Sequence, residues 1–281
     1  MGPSALRIAN LAAALERLGC TVDDAGNVLV PQRESVQRAM GGETELEAIT
    51  VVCRDLARRT ADTIRAGEFP VVIGGDHSLS AGSVAGAATA LAERGEKLGV
   101  IWLDAHGDIN TPETSVSGNV HGMPVAHLLG HGDRALAAIA QPSPALLPEH
   151  IVYVGLRDVE PAESAFIREL GIRAYTMRDV DERGLTTVLR EAIACVSNGT
   201  GGLYLSCDAD WIDPSEAPGV GTPVPGGATY REAHLAMELL ADTGRLVGMD
   251  LVEINPVLDR ANRTAELAVE LIASALGKRT L

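Results

Sequence analysis

Short apolar runs and amphipathic helical segments alternate along this 281-residue chain, and this alternation most constrains its fold. Five runs are apolar at consecutive positions: 71–73, 100–103, 151–154, 203–205 and 246–249. Consecutive apolar residues predict strands that are buried on both faces of a parallel sheet. Weaker runs at 172–175 and 27–30 predict two further strands.

Between the runs, apolar residues recur at the three- and four-residue steps of an amphipathic helix. The clearest segments are 8–18, 46–64, 188–196, 233–240 and 267–275. Alternating strands and helices predict an α/β fold, a three-layer αβα sandwich around a mostly parallel central sheet. The length allows one large domain or two small ones. Because no repeat or low-complexity linker divides the chain, we expect a single domain over 1–281.

Charge and hydropathy exclude several classes of protein. The chain has 23 Lys and Arg against 38 Asp and Glu, a net charge of −15, whereas a nucleic-acid binder would show a basic surplus. No apolar run reaches the ~18 residues of a membrane span, so we expect no membrane association. The start lacks a basic region followed by an apolar one, so no secretory signal is expected. With four widely spaced cysteines, these features favour a cytoplasmic protein.

Polar clusters follow three of the predicted strands. They are 74–78 (GGDHS), 104–108 (DAHGD) and 206–210 (SCDAD). Ligands of open α/β sheets bind outside the carboxyl ends of the strands, which is where these clusters lie. Asp104, His106 and Asp108 are two residues apart, a spacing that puts their side chains on one face of an extended chain.

The clusters contain more metal-ligating side chains than one four-coordinate zinc site can use. Clustered carboxylates repel one another unless a cation neutralises them. An oxygen-rich donor set with a few imidazoles suits Mn²⁺ and similar divalent ions. A single His or Asp at a strand end is usually a cap, but this combination predicts two cations that share bridging carboxylates. The candidate ligands are His77, Asp104, His106, Asp108, Asp208 and Asp210.

The chain resembles the ureohydrolase family of arginases and agmatinases, and within it the bacterial arginases. The matching stretches are 74–78 (GGDHS), 104–114 (DAHGDINTPET), 117–124 (SGNVHGMP), 213–223 (DPSEAPGVGTP) and 253–256 (EINP). The similarity runs from Gly2 to the end of the chain. The motifs are long, so chance is a poor explanation.

The resemblance implies two Mn²⁺ ions per subunit. One is held by His77, Asp104, Asp108 and Asp208, and the other by His106, Asp104, Asp208 and Asp210, with Asp104 and Asp208 bridging. It further implies that a hydroxide between the metals attacks the guanidinium carbon of L-arginine and yields L-ornithine and urea. Two Lewis acids suit this reaction because they can lower the pKa of bound water from 15.7 to roughly 7.

The resemblance also implies roles for residues around the metals. Asp108 would hold the hydroxide and pass its proton to the leaving amine, and His121 would be the proton shuttle. Glu253 would orient the guanidinium of the substrate. At the amino-acid end of the substrate, the implied contacts are Asn110, Ser117 and Asn119 with the α-carboxylate and Glu160 and Glu163 with the α-amino group. Near the guanidinium, Thr222 matches a position behind the residues that touch the substrate.

The chain departs from the family pattern at three places. A strand that usually comes before the segment at Gly2 is missing, and we expect its loss to leave backbone groups unpaired. Glu160 stands where arginases usually carry Asp. Trp211 and Ile212 replace the usual Gly-Leu, and we expect the indole beside Asp210 to narrow the site or change what it accepts.

Two alternatives to an arginase stay open from the sequence. One is another ureohydrolase, an agmatinase or a guanidinobutyrase, although the loop 117–122 favours a substrate with an α-carboxylate. The other is a metal-binding but catalytically impaired paralogue. Assembly is expected only from the resemblance, as a homotrimer or homohexamer.

Overall fold

The computed structural model describes residues 1–30 and 45–279. Its strands are β1 (Val71–Ile73), β2 (Leu98–Leu103), β3 (Ile151–Leu156), β4 (Arg173–Thr176), β5 (Gly202–Asp208) and β6 (Leu246–Val252). In the described residues they form one sheet in the order β1-β6-β5-β2-β3-β4, and every neighbouring pair is parallel. The predicted parallel sheet is confirmed, including the weaker strand at 172–175.

Helices connect the strands and cover both faces of the sheet. They are α1 (Gly2–Ile8), α2 (Leu11–Glu16), α3 (Glu45–Arg65), α4 (Ser80–Ala92), α5 (Pro124–Leu128), α6 (Arg134–Ala137), α7 (Pro161–Glu169), α8 (Met177–Arg183), α9 (Leu185–Ser197), α10 (Tyr230–Ala241) and α11 (Arg263–Ala275). The helices predicted at 46–64, 188–196, 233–240 and 267–275 are confirmed. Among the described helices, none is both long and apolar enough to cross a membrane.

Strand β2 shows why the fold has three layers. Its side chains alternate between the faces of the sheet, as in any strand. Ile101 and Leu103 are buried in a core that they share with α9, α10 and α11. Val100 and Trp102 are buried in a second core with α3 and α4. Both faces of the strand are therefore apolar, which explains its run of consecutive apolar residues.

Two local predictions near the start of the chain are wrong. Residues 27–30 form no strand: Leu29 is 87% exposed, and the Arg7 guanidinium ties the segment to α1 by hydrogen bonds to Asp24 and Asn27. The helix predicted over 8–18 is shorter and is α2 (Leu11–Glu16): Ile8 ends α1, and Asn10 between the two helices adopts a left-handed φ of 61°. In the described residues before Val71, helices are the only regular elements.

Candidate metal centre

The first group of candidate ligands lies at the carboxyl ends of β1, β2 and β5. His77 opens a short 3₁₀ turn after β1, Asp104 directly follows β2, and Asp208 is the last residue of β5. The Nδ1 atom of His77 lies 2.9 Å from Asp108 Oδ2, 3.1 Å from Asp208 Oδ2 and 3.3 Å from Asp104 Oδ2. All four side chains are buried. Strands far apart in sequence thus bring together one imidazole and three carboxylates.

The second group shares Asp104 with the first. His106 Nδ1 lies 3.0 Å from Asp210 Oδ2 and 3.6 Å from Asp104 Oδ1. In each group the potential ligand atoms lie within 4.8 Å of one another. The structure therefore brings together all six predicted ligands in two adjoining groups. Asp208 belongs to the first group, and its predicted bridging role stays a prediction.

The donor set of the two groups fits divalent cations. His77 Nδ1 and Asp108 Oδ2 are buried and have no hydrogen-bond partner in the described residues. A buried polar atom without a partner is costly, and a cation bound by both atoms would satisfy them. Carboxylate oxygens with imidazole nitrogens are donors that Mn²⁺ accepts. The residues present therefore fit a site for two ions.

Electrostatics indicates the same need for positive charge. Burial and the charge of Asp104 raise the pKa of Asp108 to about 7. Burial and neighbouring carboxylates also raise the pKa of Asp208 and Asp210. Burial alone would lower the pKa of His106, but the carboxylates of Asp104 and Asp210 raise it to about 12. Crowded carboxylates thus resist full ionisation, and a bound cation would relieve their repulsion.

A candidate ligand, Asp108, and the neighbouring Glu253 adopt a left-handed backbone. Asp108 has a φ of 50° and Glu253 a φ of 58°, which is uncommon for residues other than glycine. Backbone bonds hold both: the Asp108 carbonyl accepts from Val125, and the Glu253 amide donates to Gly75. Such strained positions cluster at functional sites, where the surrounding fold maintains them.

His121 and Glu253 face each other across the mouth of the site. His121 Nδ1 lies 3.6 Å from Glu253 Oε1, and the same oxygen accepts a 2.8 Å hydrogen bond from the His77 amide. The nearby Glu253 carboxylate raises the pKa of His121 to about 9, although partial burial opposes the shift. The Glu253 carboxylate therefore favours the protonated form of this imidazole, which lies beside the candidate metal ligands.

The residues predicted around the substrate differ in burial: Glu163 and Asn110 are buried, whereas Thr222 is exposed. Glu163 is buried, and its carboxylate accepts hydrogen bonds from the amides of Ile109 and Glu160. Asn110 is also buried and donates to Glu160 at 3.1 Å. Thr222 donates to Asp210 at 3.0 Å. Their predicted contacts with a substrate stay predictions, and Glu163 already supports the backbone of the site.

The exposed loop after β2 carries the other two predicted contacts. Ser117 and Asn119 are exposed, and the Ser117 hydroxyl accepts from the Asn119 amide at 3.2 Å. The Ser115 hydroxyl likewise accepts from the Gly118 amide. These local bonds shape the loop and leave the Asn119 side chain at the surface.

Residues to which the sequence assigned no role contact the candidate ligands on the side of the sheet, by stacking and by hydrogen bonds. The Trp102 indole stacks on His77 with a centroid distance of 4.4 Å and donates to Asp104 Oδ2 at 2.8 Å. Ser206 Oγ lies 2.9 Å from His77 Nε2 and donates to the buried Asp250 at 2.7 Å. Partners of this kind orient metal ligands. Trp102 and Ser206 each lie two residues before a candidate ligand, so the alternation of side chains along a strand could have predicted that they lie on the same face as that ligand. No pattern in the sequence places Asp250 near His77.

Trp211 does not line the site, so the expectation that it narrows the opening is wrong. Its side chain is 1% exposed and belongs to the core on the α9–α11 face of the sheet. It lies against Gly155, where a Cβ atom would come within 2.1 Å of the indole nitrogen. Gly155 also has a φ of 106°. Glycine is therefore required there both by the backbone conformation and by the space that the indole occupies.

Comparisons with known proteins match this chain from end to end. The sequence profile described as the Arginase family matches residues 1–277. The arginase of Bacillus caldovelox is 46% identical over 282 residues, which cover 100% of this chain and 93% of that protein. The chain belongs to the arginase family. Members of this family depend on metal, in agreement with the two buried groups of ligands.

Solved structures agree in fold. The crystal structure of the Bacillus caldovelox arginase superimposes with a TM-score of 0.93 at 45% identity, covering 100% of this chain and 93% of that one. The Entamoeba histolytica arginase, whose structure contains L-ornithine, superimposes with a TM-score of 0.88 at 32% identity, covering 99% and 91%. The three-layer α/β fold is confirmed.

Proposed function

We propose that this chain is an arginase that hydrolyses L-arginine to L-ornithine and urea with two Mn²⁺ ions. The observation that carries this proposal is the pair of adjoining His/Asp groups. The two groups have Asp104 in common, and the His121–Glu253 pair lies beside them. Relatives named arginase match the full length of the chain, and one of them is a complex with L-ornithine. They support arginine as the small-molecule substrate.

Each of the two groups of candidate ligands would hold one ion. His77, Asp108 and Asp208 would hold one ion, His106 and Asp210 the other, and Asp104 lies in both groups. Bound Mn²⁺ ions supply Lewis acidity that turns water into a nucleophile near neutral pH.

The chain's own residues would bind the substrate cation and move the proton. Glu253 presents a carboxylate at the mouth of the site, where it can accept hydrogen bonds from a guanidinium. His121 is protonated below a pKa of about 9 and can donate a proton to the leaving amine. We assign Asp108 the second proton-handling role, because its carboxylate lies 2.9 Å from His77 Nδ1 in the first group and has a second oxygen that can accept a proton.

Selectivity for the amino-acid end of the substrate is assigned to the loop after β2. Ser117 and Asn119 offer uncharged hydrogen-bond donors to an α-carboxylate. Asn110 contacts Glu160, so the α-carboxylate and α-amino contacts would lie side by side. We further propose that 1–281 acts as one catalytic domain, that it works in the cytoplasm, and that it assembles as a homotrimer or homohexamer.

The test is urea release from three guanidino compounds by the purified, Mn²⁺-loaded protein. We expect release from L-arginine, and at least tenfold lower kcat/KM with agmatine and 4-guanidinobutyrate. Removal of the metal with a chelator should abolish release, and added Mn²⁺ should restore it. A preference for agmatine would indicate another ureohydrolase, and no release from any compound would indicate an impaired paralogue.

A further inference from the structure

Arg157, which follows β3, spans the two loops that carry the second group of ligands. Its amide donates to the Ala105 carbonyl at 2.9 Å, in the loop that holds Asp104 and His106. Its half-buried guanidinium extends the other way, toward the loop that carries Asp210. The residue therefore links backbone segments that β2 and β5 deliver separately.

Among the described residues, the guanidinium donates hydrogen bonds only to backbone carbonyls. It donates to Asp210 at 2.5 Å, to Val224 at 2.8 and 3.2 Å, to Trp211 at 3.2 Å and to Gly155 at 3.4 Å. The planar fork of arginine suits such a set of acceptors, and the single ammonium of lysine does not.

The surroundings leave space for this arrangement. A Cβ atom on Gly227 would lie 2.7 Å from the Arg157 nitrogen and 2.6 Å from the Trp211 carbonyl. Glycine at that position lets the segment 222–228 close over the guanidinium. The same segment carries Thr222, which donates to the Asp210 carboxylate.

We infer that Arg157 is a positioning residue that builds the second cation site by holding the Asp210 backbone and the segment of Thr222 against the loop of His106. This inference rests on the proposed function, because it assigns Arg157 to the site of the second Mn²⁺. The other contacts of Asp210 agree with it: one carboxylate oxygen accepts from the Ala105 amide at 3.3 Å and the other from Thr222. Arg157 touches no predicted ligand side chain and acts through the backbone.

The experiment compares Arg157→Met and Arg157→Lys with Arg245→Met. Arg245 is a matched control: it too is half-buried and donates to backbone carbonyls, those of Ser197 and Thr200, but it precedes β6 at the opposite end of the sheet. Binding of Mn²⁺ to the metal-free proteins is measured by calorimetric titration and elemental analysis. Electron paramagnetic resonance reports whether the two ions are close enough to couple.

We expect Arg157→Met to bind the second Mn²⁺ roughly 10–100-fold more weakly, the loss typical of outer partners of metal ligands, while the first ion binds as in the parent. Arg157→Lys keeps the charge but loses the fork, so it should weaken the same ion; it carries the test if the Met variant does not fold. Arg245→Met should bind both ions with the affinity of the parent, even if its unfolding midpoint falls by as much as that of Arg157→Met.

Unchanged affinity for both ions in the Arg157 variants would overturn the inference, as would an equal loss in Arg245→Met. These results are distinguishable from failure of the proposed function. A parent protein that binds two coupled ions but releases no urea would overturn the function and leave the positioning role standing. A parent that binds fewer than two ions would overturn both.

Discussion

The floor of the site and its rim are built in different ways. The floor, His77, Asp104, Asp108 and Asp208, is buried at the ends of sheet strands. Its contacts join distant parts of the chain, such as Ser206 to His77 and Glu253 to the His77 amide. The rim, residues 115–119, is largely exposed and held by hydrogen bonds across two or three residues.

This difference separates chemistry from selectivity. A change in the floor leaves a buried charge or an unpaired polar atom, which is costly wherever it occurs. A change in the rim removes a surface side chain and leaves the sheet untouched. We therefore expect floor substitutions to lower metal content and the activity on all substrates together. We expect rim substitutions to weaken only the recognition of the amino-acid end of arginine. The predictions below test this separation, from the largest effect to the smallest.

The largest effect is expected for Asp208→Ala. It removes a buried carboxylate 3.1 Å from His77 Nδ1, so the first group loses an anionic ligand. Urea release should fall below detection with every substrate, and elemental analysis should show less bound manganese. Asp133→Ala, which removes only the cap of helix α6, should keep the full metal content. Two full equivalents of manganese in the Asp208 variant would show that Asp208 is not a ligand.

Trp211→Gly should affect stability and spare selectivity. The indole fills the core beneath the site, and replacing a buried Trp by Ala typically costs ~3–5 kcal/mol of unfolding free energy. Denaturant unfolding with saturating Mn²⁺ should show a loss of at least that size. The ratio of kcat/KM for arginine over agmatine should stay within a factor of a few. A large change in that ratio with little loss of stability would place the indole against the substrate.

His121→Asn should lower kcat by roughly 10²-fold, the contribution of a general acid–base group, without loss of manganese. The effect should depend on pH. The parent's kcat should fall as the pH rises through about 9, because the imidazole loses the proton that it donates. The variant should lack that fall. Loss of metal in His121→Asn would instead make His121 part of the floor.

The smallest effect is expected for Asn119→Ala on the rim. A hydrogen bond to a charged group contributes ~1.5–3 kcal/mol. Its loss should lower kcat/KM for arginine by roughly 10- to 100-fold. Agmatine has no α-carboxylate, so its kcat/KM should hardly change. Val116→Ala, an 89% exposed position in the same loop, is the control and should match the parent. Equal losses on both substrates would mean that the loop shapes the whole site.

Local patterns in the sequence predicted most of the fold and pointed to all six candidate ligands, which the structure brings together. Consecutive apolar residues predict buried parallel strands because both faces are covered, and the structure bears this out in β2. The two-residue spacing of Asp104, His106 and Asp108 predicts a shared face only for an extended chain. The segment lies beyond the end of β2 and Asp108 has a φ of 50°, so the tertiary structure decides how these side chains meet. The pattern failed at 27–30, where a short apolar run found no neighbouring strand and stayed exposed.

The sequence by itself determined the element types, the clusters at the strand ends and the family resemblance. Only the tertiary structure decided which strands are neighbours, and hence that Asp250 lies behind His77 and that Arg157 spans 53–67 residues to bind Asp210 and Val224. It also decided that Trp211 packs into the core and not into the site. The physical reason is that periodicity reports which face of its own element a side chain occupies, whereas its partner depends on how strands and loops distant in sequence pack together.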